Sequence, residues 1–345
     1  MTELVIEDRV KNATSRHYEL QRDDGTTVPL TGTAVEALQE GARVTLRGQR
    51  NGAHFGVQEV QSVSPASSAE AAARAAAATQ VEGTLAIAHA DDFATGTSQY
   101  HYHVHDDVGG ITTLNAVVLP PELRGGMRVL VSGRRAADGS SLHPTHITIL
   151  SAPVTGGMET KAGATPLATT SNSVLVILAN FSNTVAPAYT ATQAQQVMAT
   201  NSNSVANFYN EVSYGQQTLN VTVTSSWVTM NLTATCSYTS IASAANAAAL
   251  ALSPTYSASN YNFVVYLFPG QSCGWAGLAY VGYPHQSFIN GTGSFGTGTI
   301  AHEMGHNFGL LHAGSLNCGS ASIGGTCNVA EYGDPWDTMG NQRAM

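Results

Sequence analysis

The chain has 345 residues, 43% of them hydrophobic, and a formal net charge of −9. That length predicts two or three domains with sizeable cores, and the acidic balance without basic clusters argues against nucleic acid or an anionic membrane as partner. No apolar run reaches membrane-spanning length, and Met1-Thr2-Glu3-Leu4 opens a polar segment without a signal-peptide core, so a secreted form of this protein has its signal outside this numbering.

The first 150 residues contain one pattern twice. Gly41-Ala42-Arg43-Val44-Thr45-Leu46-Arg47-Gly48-Gln49-Arg50 echoes Gly126-Met127-Arg128-Val129-Leu130-Val131-Ser132-Gly133-Arg134-Arg135, and each copy follows an Asp-Asp turn and ends in an alternating strand, Val57 to Val63 and His146 to Leu150. Short strands of period two with Gly turns predict an all-β region of two small barrel or OB-like modules, 1–64 and 80–150. Pro65 to Thr79 between them is dominated by alanine and reads as a helical spacer or a loose linker. In the second module, His101, His103 and His105 share one face of a strand. A metal site there is weighed against a solvent-facing row with Tyr102 and Val104 turned inward; the second reading is preferred, because no further ligand group lies at useful spacing.

Ser151 to Thr170, with Pro153, Gly156, Gly157, Gly163 and Pro166, predicts an exposed hinge open to proteolysis. Composition changes here, since only Lys161 and Arg343 carry positive charge after residue 160. Beyond the hinge, Val174 to Ala179 reads as a buried strand, Thr192 to Val212 as a helix, and Leu219 to Val228 as a strand. Ile241 to Leu252 follows as a helix and Asn262 to Phe268 as another buried strand. Trp275 to Val281 is read as an edge strand able to receive a peptide by β-augmentation. The segment 171–345 is thus an α/β (α+β) domain built around a further helix, for which Thr297 or Thr299 is the expected N-cap.

That last helix carries His302-Glu303-Met304-Gly305-His306-Asn307-Phe308-Gly309-Leu310-Leu311-His312. At about 100° per residue His302 and His306 stand one turn apart on one face, where two imidazoles can share one ion. A continuous helix would leave His312 about 15 Å along the axis from His302, so the helix has to stop, and Gly309 is where a left-handed residue can swing His312 back. Three protein ligands leave zinc an open position, which suits a catalytic site. The implied chemistry is hydrolysis without a covalent intermediate, with zinc as Lewis acid and Glu303 as general base and then general acid.

Cys236, Cys273, Cys318 and Cys327 all lie in this segment, and an even count in a hydroxyl-rich, low-charge domain points to disulfides and an oxidising compartment rather than free thiols. Connectivity stays open. Cys318–Cys327, closing a short Gly-rich loop after His312 and leaving Cys236–Cys273, is the preferred pairing.

From about Ser171 to Met345 the chain resembles the metzincin metallopeptidases, and among them the gametolysin-like family. The resemblance rests on the extended histidine motif, on Trp336-Asp337-Thr338-Met339-Gly340 with its lead-in Glu331-Tyr332-Gly333-Asp334-Pro335, and on Ser204-Val205-Ala206-Asn207-Phe208-Tyr209-Asn210-Glu211-Val212-Ser213-Tyr214-Gly215. It implies that Met339 forms an apolar floor beneath the metal and that a peptide substrate lies along an edge strand above the zinc helix. Some metzincins place a tyrosine just after the turn methionine; Gly340-Asn341-Gln342 stands there, leaving Tyr332 as the candidate to steady the transition state. Metzincins continue into a C-terminal helix where this chain reaches Met345, which predicts a catalytic domain shortened at its C-terminus. Residues 1–150 are then expected to act as an inhibitory prosegment. With no cysteine before Cys236, a thiolate cannot block the metal, and Glu159, Asp106 or Asp107, or steric cover, are left. The expectation is a secreted zinc metalloendopeptidase acting on extracellular proteins. The competing readings are a zinc-containing but catalytically silent adhesion or matrix-binding protein, and a β-rich surface protein without zinc.

Overall fold

Val174 to Ala179 is apolar without alternation because both faces of its strand are covered, and all six residues are 0% exposed in the computed structural model. The structure describes residues 2–23, 26–51, 54–68, 78–115, 120, 122–136, 139–153, 169–320 and 327–342. Two compact units emerge, one formed by Met1–Ile87 and His101–Val154, the other by Ala88–Tyr100 and Thr155–Met345. The protein is mostly β, with few helices.

The first unit holds β1 (Thr2–Asp8), β2 (Ala13–Gln21), β3 (Thr27–Thr31), β4 (Arg43–Asn51) and β5 (His54–Ser64), then most of β6 (Ala78–Asp92) and β7 (Thr97–His105), and β8 (Ile111–Leu114), β9 (Arg128–Arg135) and β10 (Ser141–Ser151). β1, β2, β3, β5 and β4 pair in that order, over a core of Tyr18, Leu30, Val35, Leu38 and Val57. β6, β7, β8, β10 and β9 pair in succession, and β9 returns to β6. The echoed segments occupy β4 and β9, and the glycine they share has one physical cause in both. A Cβ on Gly48 would stand 2.0 Å from the Gly56 carbonyl oxygen, and one on Gly133 2.1 Å from that of His143. Each lies where its pairing register shifts, as backbone approach at a bulge requires.

Two expectations change in this unit. Ala78 and Thr79 belong to β6 instead of the alanine-rich spacer, while residues 69–77 lie outside the described ones. The row on β7 is not solvent-facing. Tyr102 and Val104 are buried, but so is His103, because β7 has a strand on either side and both its faces are covered.

In the second unit the strands are β11 (Thr170–Asn180), β12 (Gln217–Val223), β13 (Val228–Thr229), β14 (Phe263–Phe268), β15 (Gly277–Tyr280) and β16 (Gln286–Asn290), with a small hairpin of β17 (Ser315–Asn317) and β18 (Asn328–Ala330). β12, β11, β14 and β16 run parallel, and β15 is antiparallel to β16. The helices are α1 (Ala191–Gln195), which continues as a π turn through Thr200, α2 (Val205–Val212), α3 (Tyr238–Leu252) and α4 (Thr297–Asn307). Alternate residues of the sheet divide the helices between its faces. Val174, Val176, Leu178, Val265 and Leu267 pack with Met198, Val205, Tyr209, Ile300, Ala301 and Met304. Tyr266, on the opposite face of β14, donates its hydroxyl to Asn246 of α3 at 3.0 Å.

The helix expected over Thr192 to Val212 is broken. Asn201 is extended (φ −71°, ψ 152°), and Ser204 starts α2 by accepting from the Asn207 amide at 3.3 Å. Thr200-Asn201-Ser202-Asn203-Ser204 supplies the side chains that compete with helical backbone bonds. Leu219 to Val228 likewise divides into β12 and β13. The supposed edge strand within Trp275 to Val281 shortens to β15 and is no edge: Gly277, Leu278, Ala279 and Tyr280 pair with Asp91, Ala90, His89 and Ala88. The hinge residues 154–168, Glu159 among them, fall outside the described ones.

Candidate metal centre and active site

The N-cap of α4 is Gly296, not Thr297 or Thr299, and it makes no side-chain cap bond. Its end is better determined. The Gly309 amide donates to the His306 carbonyl at 2.8 Å and the Leu310 amide to the Gly305 carbonyl at 3.0 Å, with Gly309 at φ 89°. This pair of bonds is a Schellman motif, which satisfies the helix's last carbonyls and reverses the chain. The reversal brings His312 Nε2 to 3.2 Å from His302 Nε2. It also places the Leu310 carbonyl where His306 Nδ1–H donates to it at 2.9 Å.

Each of the three imidazoles has an acceptor at its outer nitrogen. His302 Nδ1–H donates to the Thr338 carbonyl at 2.8 Å, and His312 Nδ1–H donates to Glu331 Oε1 at 3.0 Å. With the outer nitrogens so engaged, all three Nε2 atoms face inward toward one another, the arrangement seen around ligating histidines. Burial, then charge on His306, pushes His302 down to about 3, so its ring is neutral. Met339 is buried beneath α4, close enough that a Cβ on Gly305 would lie 2.3 Å from its sulfur. Glycine inside α4 therefore seats Met339, and Met339 positions the neighbouring carbonyl that holds His302.

Glu303 is fully buried, and neither carboxylate oxygen has a hydrogen-bond partner among the described residues. Burial, reinforced by the nearby charge of Asp91, raises it well above the usual carboxylate range. Its carboxylate rests against the backbone of β15, where a Cβ on Gly277 would stand 1.9 Å from Oε1. Asn307 fastens the helix to the same hairpin: its Nδ2 donates to the carbonyls of Tyr280 (2.9 Å) and Gln286 (3.0 Å), and its Oδ1 accepts from Ser287 at 2.7 Å.

A fourth group stands among the three histidines. Asp91, 0% exposed, places Oδ1 2.9 Å from His312 Nε2 and Oδ2 3.3 Å from His306 Nε2 and 3.7 Å from His302 Nε2. Asp106 and Asp107 are engaged elsewhere, the first accepting amides of its own turn and the second bonding Arg128. Asp91 was missed because nothing around Ala88-His89-Ala90-Asp91-Asp92 marks a ligand; only the pairing of this strand with β15 brings it to the site. Glu331, to which the sequence assigns no role of its own, holds His312. Tyr332 donates its hydroxyl to Asp91 Oδ1, and its ring lies 4.0 Å from that of His312.

The residues fit a metal ion. His89, Asp91, His306 and His312 form one set with ligand atoms mutually within 4.8 Å, and Asp91, His302 and Glu303 form another. Asp91 Oδ2 and His306 Nε2 are buried without hydrogen-bond partners, and such orphaned atoms are costly unless a cation satisfies them. Two nitrogens each about 2.0–2.1 Å from one zinc at a tetrahedral angle lie about 3.3–3.4 Å apart, close to the 3.2 Å between His302 and His312.

The other expected residues lie apart from this cluster. Cys236 is bonded to Cys273 and Cys318 to Cys327. Among the described residues no helix is long and apolar enough to cross a membrane.

A buried group of imidazoles and carboxylates that could hold a metal ion is the kind of site a metallohydrolase carries. The family described as gametolysin peptidase M11 matches residues 173–344, and through that segment the chain belongs to the gametolysin-like metallopeptidases. No curated protein matches the chain.

Proposed function

We propose that this protein is a secreted zinc-dependent metalloendopeptidase of metzincin type, restrained by its own N-terminal region, which comprises two repeated small β-barrel modules. The observation that carries the reading is the convergence of three Nε2 atoms beside a buried, unpartnered Glu303, in a chain of gametolysin-like family. His302, His306 and His312 would hold zinc, which when bound supplies a Lewis acid for hydrolysis. Glu303 takes a proton from the attacking water and returns it to the leaving amine, and its raised proton affinity suits that exchange. Met339 supports the histidine floor and Gly309 the return of His312. Tyr332, whose hydroxyl donates to Asp91 within the cluster, steadies developing charge there. Substrates are extracellular proteins or peptides, and the two disulfides suit an oxidising compartment.

The test uses the distribution of basic residues. Of 14 Lys and Arg, only Lys161 and Arg343 follow residue 160, so trypsin can dismantle the N-terminal region and leave 162–343 uncut. The expected result is peptide hydrolysis after trypsin treatment and inhibition of the trypsin. Glu303→Ala should retain zinc and lose about 10²–10⁴ in rate. A treated wild-type protein that holds zinc and cleaves nothing in a broad peptide library would establish the silent adhesion protein instead.

A further inference from the structure

Residues 88–100 lie before both the hinge and the family segment, yet they form part of the unit that holds the histidines. Their first four residues take the position on β15 that an extended peptide would need, with the Ala276 amide donating to the Asp91 carbonyl at 2.8 Å. The Asp91 side chain then enters among the three Nε2 atoms. Further contacts hold the segment down. Tyr332 donates to Asp91 Oδ1, Ser98 donates to Glu331 Oε1 at 2.8 Å, the His89 ring stacks on Tyr100 at 4.0 Å, and Phe93 meets the edge of His302 at 5.0 Å.

We infer that Ala88–Asp91 is an internal pseudosubstrate and that Asp91 is the plug of the site, its carboxylate taking the position a water needs while its backbone fills the substrate edge. This rests on the peptidase reading and gives its restraint a residue and a geometry. Asp91 Oδ2 has no hydrogen-bond partner among the described residues. A buried carboxylate oxygen aimed at three imidazoles is what a cation-blocking ligand looks like before the ion is considered. A strand that merely filled the edge would need no charge there. Glu331 belongs to both arrangements, since it orients His312 and anchors Ser98, so the plug is fastened through the same loop that builds the site.

The experiment uses the full, uncleaved chain loaded with Co²⁺, whose visible spectrum reports ligand exchange, and acetohydroxamate as the probe. Wild type should show a spectrum insensitive to millimolar probe. Asp91→Asn, which keeps the volume, and Asp91→Ala should both show a saturable spectral change. The zinc forms of these variants should hydrolyse peptide without trypsin at least 100-fold faster than untreated wild type. Probe binding to wild type, or variants as blind to the probe as wild type, would overturn the plug. Variants that admit the probe yet hydrolyse nothing, even after trypsin, would uphold the plug and remove the peptidase reading.

Discussion

Gly277→Ala tests the position of Glu303 without touching a proposed ligand. The added Cβ would lie 1.9 Å from Glu303 Oε1, 2.5 Å from Cδ and 2.9 Å from Cγ. Carbon–oxygen contacts settle at about 3.3–3.6 Å, so the carboxylate has to retreat by about 1.5 Å. Glu303 is 0% exposed, so the retreat has to be made inside the protein. Displacement of a reacting group by about 1 Å costs about 10² in rate, and the whole proton-transfer role is worth about 10²–10⁴. The expected kcat/KM after trypsin activation is therefore lower by about 10²–10⁴, a barrier increase of about 3–5 kcal/mol. The fold should suffer less. Overpacking costs about 1–3 kcal/mol, and replacing a strand glycine by alanine returns about 0.5–1 kcal/mol. Zinc content should stay that of wild type, because no histidine contact changes. The measurements are a fluorogenic peptide assay, elemental analysis and a thermal melt. Activity within threefold of wild type, with an unchanged melt, would show that Glu303 is not the base where the structure places it.

His103 gives the first unit an acid limit: burial, then the like charges of His105 and His101, depresses it from 6.5 to about 4. The folded state holds the ring neutral while the unfolded chain takes up the proton, so stability is full above about pH 6.5 and falls as the pH drops toward 4, by up to about 3 kcal/mol; the pH dependence of the melt should flatten over that window in His103→Gln. The disulfides should differ in worth, because Cys236–Cys273 spans 37 residues and Cys318–Cys327 spans 9. The loop-entropy relation gives about 4 and about 2.5 kcal/mol respectively. Paired Cys→Ser variants should lower the melting temperature in that order, and the reverse order would show that loop entropy does not dominate.

What was legible in the sequence is what local chemistry decides. The apolar run of β11, the one-turn offset of His302 and His306, and the left-handed turn at Gly309 each follow from residues within a few positions of one another. Local signals also misled, most plainly where the periodicity from Thr192 to Val212 concealed the Asn-Ser break at Asn201–Ser204 that divides the helix. What sequence could not supply is fixed by pairing between distant segments. Gly277 is an ordinary strand glycine until α4 sets a carboxylate against it, and Trp275 to Val281 looks like a free edge until Ala88–Asp91 pairs with it. Asp91 is the extreme instance, for it stands 211 positions before His302 and 221 before His312 in the numbering, and Glu159, Asp106 and Asp107 had an equal claim by composition. Only a register decides among such carboxylates. Because Gly277 pairs with Asp91, the residue in register at that point is necessarily the one whose side chain stands near Glu303 and the histidines. A one-residue slip of this strand would turn Asp91 to the other face and bring Ala90 or Asp92 to the histidines, so the place of Asp91 among the histidines and the alignment of the strand are one structural fact.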